Sequence, residues 1–289
     1  MTDFLIRDVS DTAYWIAHHR AVESERGDAL FRDAFAARLA GERGARIATA
    51  MPAVRMTSWM VVMRTRIIDD FILSAVREGV DTVVNLGAGL DTRPYRMELP
   101  AALQWIEADY ARIIEYKEGH LAGESPRCRL ERAKIDLADR TARREFLTGI
   151  DARAGKVLVL TEGVVPYLSN EDAALLADDL RTMGSIRFWI VDYFSNRAMK
   201  FRQRHQMGRR MQNAPFLFEP DDWFRFFKQH GWQPKTTRYL YDEGERLGRL
   251  PPLPLMARVI YLGLAPFLSR ERTLEMRRFA GYVLLEPVP

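Results

Sequence analysis

The feature that most constrains this chain is the stretch 82–93, with the sequence TVVNLGAGLDTR. It begins as a β-branched apolar run, which is typical of a strand buried in a parallel sheet. Gly87 and Gly89 follow, and glycines at the end of a strand let the backbone turn sharply and approach a ligand closely. About twenty residues later a second strand-like run ends at Asp109, whose carboxylate can accept hydrogen bonds from ribose hydroxyls. Together these features predict a binding site for a nucleoside-type cofactor.

Strand-like and helix-like segments alternate after residue 82, which predicts an α/β fold with a mostly parallel sheet covered on both faces. The predicted strands are 82–88, 104–109, 129–136, 156–161 and 186–194, followed by 236–241 and 282–285. The strand 129–136 is more polar than the two strands before it, so we expect it near an edge of the sheet. Upstream, helical spacing of apolar residues predicts helices within 12–40, broken at Gly27 and Asp28, and over 54–76.

Ligands of parallel sheets bind outside the carboxyl ends of the strands. Besides the two glycines and Asp109, the acids at such ends are Asp136, Glu162 and Asp192. These residues are therefore the candidate site residues that the pattern alone provides.

Composition and charge exclude several classes of protein. The 289 residues are enough for one large domain, and the single cysteine, Cys128, excludes an intramolecular disulfide and a cysteine-based metal cluster. We expect a protein without a metal site. We also expect a cytoplasmic location, because the chain has a single cysteine and its first residues lack the apolar segment of a signal peptide. The net charge is +4 with arginines interleaved among acids, which does not favour nucleic acid as a partner. The apolar run 253–268 is short and carries Arg258, so it predicts a packed helix rather than a membrane span.

One stretch departs from this mixed charge pattern. Basic residues, among them Arg202 and Arg204, interleave with methionine and phenylalanine between 197 and 211, directly after the fifth predicted strand. A solvated amphipathic helix is one interpretation. The other is that 195–222 forms a lid that attracts an anionic, partly aromatic substrate.

Several motifs resemble the leucine carboxyl methyltransferase superfamily, in the branch of bacterial polyketide O-methyltransferases. They are the glycine stretch 85–93, the segment 107–110 with Lys117, and 161–168 with the sequence TEGVVPYL. Upstream, Arg20, Asp33 and Arg64 lie in segments that resemble the bacterial branch. The resemblance covers roughly residues 12–232, and Ala34 departs from it where the pattern often has proline.

This resemblance implies a class I S-adenosylmethionine (SAM) methyltransferase. The expected fold is a Rossmann-like, seven-stranded, mostly parallel sheet in a single domain 1–289, with an N-terminal helical region over residues 1–78 and a helical cap. Arg64 matches the residue that holds the methionine carboxylate, and Asp109 matches the ribose acceptor. Asp136 and Leu137 match the pair of residues that faces adenine, and Glu162 matches an acid beside the cofactor. Tyr167 matches a tyrosine near the substrate and is the candidate catalytic residue. The substrate residues expected are Tyr167, Arg202 and Arg204.

The implied reaction is methyl transfer to a carboxylate or hydroxyl of a small metabolite, either anionic or aromatic. A carboxylate, with a pKa of about 4, is ionised at neutral pH, whereas a phenol or an alcohol would need a base. None of the five histidines lies in a matching catalytic motif, which favours a carboxylate or an acidic hydroxyl. Three alternatives remain: a protein C-terminal carboxyl methyltransferase, a non-catalytic SAM-binding module and an NAD-dependent oxidoreductase. Thr92 disfavours the last, because it replaces the third glycine of a dinucleotide loop.

Overall fold

The computed structural model describes residues 6–51, 53–204, 213–253 and 269–289, with only the backbone described for residues 201–204. The helix predicted within 253–268 and a portion of the candidate lid therefore lie outside the described residues. No helix among the described residues is both long and apolar enough to cross a membrane.

Seven strands form one sheet, in the order β3-β2-β1-β4-β5-β7-β6. Their bounds are Thr82–Leu86 (β1), Gln104–Asp109 (β2), Arg129–Lys134 (β3), Val157–Thr161 (β4), Ile186–Phe194 (β5), Trp232–Tyr239 (β6) and Ala280–Pro287 (β7). The first five strands pair in parallel, whereas β7 runs antiparallel between β5 and β6. The predicted mostly parallel sheet is confirmed, and the polar strand β3 lies at an edge as expected.

Helices precede the sheet and connect its strands. Their bounds are Asp11–Ser24 (α1), Ala36–Ala50 (α2), Val54–Arg77 (α3), Arg93–Arg96 (α4), Ala111–His120 (α5), Arg140–Asp151 (α6), Asn170–Arg181 (α7), Asn196–Arg204 (α8), Trp223–Gln229 (α9), Leu240–Arg246 (α10) and Arg270–Arg277 (α11), with a 3-10 turn at Val165–Tyr167. Side chains cap several of them; Ser169, for example, accepts a hydrogen bond from the backbone nitrogen of Asp172 at the start of α7.

The N-terminal helices differ from the sequence prediction in their bounds. The first helix ends at Ser24, three residues before the predicted break, and the chain is not helical again until Ala36. The second helix continues to Ala50, past residue 40 where the predicted helical region ends, although Gly41 leaves the helical conformation with φ +53° and ψ −164°. A glycine adopts this backbone without the steric cost of a side chain, so α2 bends there rather than ending.

Two apolar layers enclose the sheet. The α3 face of the sheet packs residues such as Ile67 and Ile72 against Trp105 and Leu158. The opposite face packs Trp189 and Trp232 together with Phe227 from α9. Burial of all five residues of β1 and of β4 explains why their apolar runs were recognisable in the sequence.

A buried ion cluster ties β2 to its neighbours. Glu107 on β2 and Lys117 on α5 are both fully buried and form an ion pair of 2.7 Å. Arg132 on β3 contacts the other carboxylate oxygen of Glu107 at 2.9 Å. Glu107 therefore faces away from solvent and fastens α5 and β3 to β2, which positions the end of β2 where Asp109 lies.

Replacing Glu107 tests this cluster. Glu107→Gln leaves the ammonium of Lys117 buried without a counter-charge, so we expect the free energy of unfolding in urea to fall by about 3–5 kcal/mol. Glu115→Gln is the matched control, because Glu115 pairs with Lys134 on the exposed surface. Equal stability of the two variants would contradict a structural role for the buried pair.

Candidate functional site

A cavity of about 1820 Å³ opens at the carboxyl ends of β1, β2, β4 and β5. The sequence-predicted residues that line it are Arg64, Gly87, Gly89, Asp109, Leu137, Glu162, Tyr167 and Asp192. The fold thus brings together residues that are more than one hundred positions apart in the chain. Asp136 is the exception among the predicted cofactor residues with described side chains, because it is exposed and does not line the cavity, whereas Ile135, Leu137 and Ala138 do.

The glycine loop after β1 has a backbone that only glycine adopts easily. Gly87 has φ +69° and Gly89 has φ +48°. A Cβ atom on Gly87 would lie 2.5 Å from Cγ2 of Val164, and one on Gly89 would lie 3.3 Å from Cβ of Ala13. Both glycines are therefore required by the conformation of the loop and by its close packing, and a side chain at Gly87 would collide with the segment after β4.

Asp109 closes the glycine loop from the neighbouring strand. One carboxylate oxygen accepts a hydrogen bond from the backbone nitrogen of Gly89 at 2.7 Å, and the other accepts from Tyr110 at 2.7 Å. Burial raises the pKa of Asp109, and these two hydrogen bonds act against the shift. Each oxygen retains a lone pair, so the carboxylate can still accept a hydrogen bond from a hydroxyl group of a ligand in the cavity.

Arg93 joins the loop to the rest of the site. Its guanidinium contacts Asp69 at 2.7 Å, Asp91 at 2.8 Å and Glu162 at 2.7 Å, and its side chain is only 2% exposed. Burial alone would raise the pKa of Asp91 and of Glu162, but the charge of Arg93 holds both below their usual range. From sequence, Arg93 was recognised only as a member of a motif and received no role; the signal that could have revealed it is an arginine placed two residues after Asp91.

The N-terminal helices hold the other side of the loop. Arg20 on α1 donates to Asp33 at 2.9 Å and to the carbonyl of Leu90 at 2.5 Å. The hydroxyl of Thr92 donates to the same carboxylate of Asp33 at 2.7 Å. Arg20 and Asp33, which carried the resemblance upstream, therefore support the loop, and α1 lines one wall of the cavity through residues such as Ala13 and Ile16.

Arg64, Glu162 and Asp192 form the polar floor of the cavity. Nε of Arg64 lies 2.8 Å from a carboxylate oxygen of Glu162, although the angle is too bent for a hydrogen bond. Asp192 lines the cavity next to them and accepts hydrogen bonds from the backbone of Gly163 and from the hydroxyl of Tyr282, each at 2.9 Å. Tyr282 was not predicted, because only the insertion of β7 beside β5 brings it here.

The wall beyond this floor is largely apolar and aromatic. Tyr167 stacks on Phe216 with ring centroids 4.9 Å apart, and both line the cavity. Further lining side chains are Trp59, Met60, Phe194, Tyr241, Met276 and Phe279. Among the described residues, none of the side chains that line the cavity is a histidine.

The predicted lid residues lie partly outside the description. Arg202 and Arg204 are on α8, the helix that follows β5, but their side chains are not among the described ones. Arg197 at the start of α8 does line the cavity. The carboxylate of Glu275 lies 3.7 Å from it, and both side chains are more than half exposed. The amino-terminal turn of α8 therefore lies at the cavity.

The family model described as leucine carboxyl methyltransferase matches residues 13–181 of this chain. The chain belongs to the leucine carboxyl methyltransferase family. It is similar to a Mycobacterium tuberculosis (strain H37Ra) protein provisionally named an S-adenosyl-L-methionine-dependent methyltransferase, with 30% identity over 277 residues, 87% of this chain and 88% of the relative. A protein of Saccharopolyspora erythraea with the same provisional name is 35% identical over 199 residues, 63% of this chain and 67% of the relative.

Solved structures agree on the fold. A crystal structure from Thermobifida fusca, provisionally named a methyltransferase, superposes with a TM-score of 0.57 at 12% identity and covers 99% of this chain and 97% of the other. A DUF574 family protein from Streptomyces avermitilis gives 0.51 at 14% identity, covering 94% and 97%. With its family relatives, this chain is a SAM-dependent methyltransferase of the leucine carboxyl methyltransferase family, and SAM is its cofactor. The assignment favours the methyltransferase over the dehydrogenase alternative.

The cavity of this methyltransferase fits SAM on its own features. A cofactor with adenine, ribose and an amino acid needs a backbone that it can approach, a hydroxyl acceptor and charged partners for the amino acid. Gly87, Asp109 and Arg64 provide these chemical groups around one cavity. The buried Nε–H of Arg64, which has no hydrogen-bond acceptor among the described residues, is consistent with a site completed by a ligand.

Substitution of Gly87 tests the role of the loop. Gly87→Ala forces a side chain into a left-handed backbone, at a cost of about 1–2 kcal/mol, and pushes Val164 away. We expect the affinity for SAM, measured by isothermal titration calorimetry, to fall roughly tenfold or more. Gly119→Ala is the control, since a Cβ there would meet nothing within 4 Å. Unchanged SAM affinity in Gly87→Ala would contradict the close approach of loop and cofactor.

Arg93 gives a second test, on stability. Arg93→Gln leaves Asp69, Asp91 and Glu162 with less positive charge, so unfolding in urea should require about 3–5 kcal/mol less free energy. Arg38→Gln removes an arginine from an exposed ion pair with Glu124 and should have little effect. If both variants unfold alike, the buried network does not hold the site together.

Proposed function

We propose that this methyltransferase transfers the methyl group of SAM to a carboxylate or hydroxyl oxygen of a small, anionic or aromatic metabolite of polyketide type. The observation that supports the proposal is the apolar and aromatic wall that adjoins the polar floor of Glu162 and Asp192. Such a wall suits a planar or hydrocarbon body, and the few polar groups at one end suit the cofactor and the reacting oxygen.

The proposed roles of the cofactor residues follow their chemistry. Arg64 holds the methionine carboxylate, because a planar guanidinium binds carboxylates well. Gly87 and Gly89 let the backbone approach the cofactor, and Asp109 accepts the ribose hydroxyls. Asp136 and Leu137 face adenine, one as an acceptor for its amino group and one as an apolar contact, and Glu162 lies beside the cofactor.

Asp136 requires a rearrangement for this role, because it is exposed and accepts a hydrogen bond from the backbone nitrogen of Ala138 at 2.9 Å. Leu137 already lines the cavity. Binding of adenine is therefore expected to turn the carboxylate of Asp136 inward, whereas Leu137 can contact the ring where it lies.

Orientation and exclusion of water are the main tasks of the protein in this reaction. When bound, SAM supplies a methyl group that is already activated by the positive charge on sulfur. The aromatic wall holds the acceptor, and Tyr167, stacked on Phe216, is the proposed catalytic residue that contacts the acceptor and directs its oxygen. Because no described lining residue is a histidine, we favour an acceptor that is ionised without a base, a carboxylate or an acidic phenol.

The remaining elements of the proposal concern organisation. We propose a single domain over 1–289, in which 1–78 supports the cofactor loop through Arg20 and 195–222 covers the acceptor. A small molecule rather than nucleic acid is the proposed partner, and the cytoplasmic location expected from the single cysteine stays a prediction.

A labelled-methyl assay distinguishes the two acceptor classes. The enzyme is incubated with methyl-labelled SAM and a panel of aromatic carboxylates and phenols, and the product is treated with alkali. A methyl ester then releases labelled methanol, whereas a methyl ether retains the label. We expect label in a small molecule, and label found in protein would instead support protein carboxyl methylation.

The lid is tested with two charge substitutions. If α8 attracts an anionic acceptor, Arg202→Ala and Arg204→Ala should each raise KM for the accepted substrate severalfold, since about 1 kcal/mol corresponds to roughly a fivefold change. The values of kcat should change little. Arg187→Ala is the control, because Arg187 is exposed near the amino end of β5. An unchanged KM in both lid variants would contradict the lid.

A further inference from the structure

Asp192 is a buried carboxylate that has no ion pair among the described residues. It lies near the carboxyl end of β5, lines the cavity and is only 3% exposed. Its two oxygens accept hydrogen bonds from the hydroxyl of Tyr282 and the backbone nitrogen of Gly163, both uncharged donors. Two hydrogen bonds therefore fix the orientation of this carboxylate, but no cationic side chain among the described residues contacts it.

Glu162, the neighbouring acid, shows the contrast. Two guanidinium groups contact its carboxylate, from Arg64 at 2.8 Å and from Arg93 at 2.7 Å. These charges hold the pKa of Glu162 below its usual value despite burial. Burial instead raises the pKa of Asp192, with the more distant charge of Arg64 acting against it. Of the two acids, Asp192 is the one whose negative charge remains available for a ligand.

A buried, uncompensated carboxylate is unfavourable for the ligand-free protein. Such a group is retained at a binding site when a ligand brings the missing positive charge. The α-amino acid portion of SAM carries an ammonium and a carboxylate on the same carbon atom, so its receptor needs an anion close to a cation. Asp192 and Arg64 line the same cavity and influence each other electrostatically.

We propose that Asp192 is the counter-charge for the α-ammonium group of the methionine portion of the cofactor. Gly163 and Tyr282 fix the carboxylate, and the ammonium donates charge-assisted hydrogen bonds to its remaining lone pairs. Gly163 has φ +68°, which turns its N–H toward β5. This proposal depends on the cofactor of the family and is independent of the methyl acceptor.

Two ligands, of which only one carries the amino acid portion with this ammonium group, test the proposal by binding alone. S-Adenosylhomocysteine carries the amino acid, whereas 5′-methylthioadenosine keeps adenine, ribose and sulfur without it. For Asp192→Asn, calorimetry should show the Kd of S-adenosylhomocysteine raised roughly tenfold or more, and that of methylthioadenosine nearly unchanged. Asp221→Asn, an exposed acid outside the cavity, is the control for both ligands.

The ligand-free proteins provide the second measurement. Because the amide of Asn avoids burying a charge, Asp192→Asn should melt at the same temperature as the wild type or higher when no ligand is present. A variant that melts lower or fails to fold would show that Asp192 is structural and would overturn the proposal. Equal weakening of both ligands, or unchanged affinity for S-adenosylhomocysteine, would overturn it as well.

Discussion

The contacts of one guanidinium hold the site together. Arg93 binds acids from three separate regions of the chain: Asp69 on α3, Asp91 in the glycine loop and Glu162 after β4. A buried arginine of this kind is stable only with all of its counter-charges in place. The position of α3, the shape of the loop and the floor of the cavity therefore depend on one another. Arg96, which also contacts Asp69, reinforces the same connection.

Much of the fold could be predicted because it depends on local patterns. The strands β1, β4 and β5 are largely apolar runs that are buried by helices on both faces, and such runs are visible in composition alone. The ends of α1 and α2 were wrong because tertiary contacts decide them. Arg20 donates hydrogen bonds to Asp33, in the segment between these helices, and to Leu90 in the glycine loop, so this segment packs against the loop. If the helix continued through the segment, Asp33 would not reach the loop. The full length of β7 was also missed, since its pairing with two distant strands leaves little local signal.

A site residue could be predicted where a residue type that suits the ligand lies at the carboxyl end of a predicted strand. Gly87, Asp109 and Glu162 satisfy both conditions, and the structure places all three at one cavity. The charge balance of the site could not be read in the same way, because it depends on which side chains meet. The sequence shows Asp192 and Glu162 as equivalent acids at neighbouring strand ends. Among the described residues, however, Glu162 has two cationic partners and Asp192 has none in direct contact.

The position of β7 has a consequence for how the protein is made. This strand follows the other six in chain order but lies inside the sheet, and it carries Tyr282 to Asp192. During synthesis at about 5–20 residues per second, the interval between the appearance of Phe194 at the end of β5 and that of Ala280 at the start of β7 is on the order of 4–17 seconds. Over that interval the nascent sheet has an open edge at β5, which is available to other chains. Folding on the ribosome must therefore keep this edge shielded until the last strand is inserted.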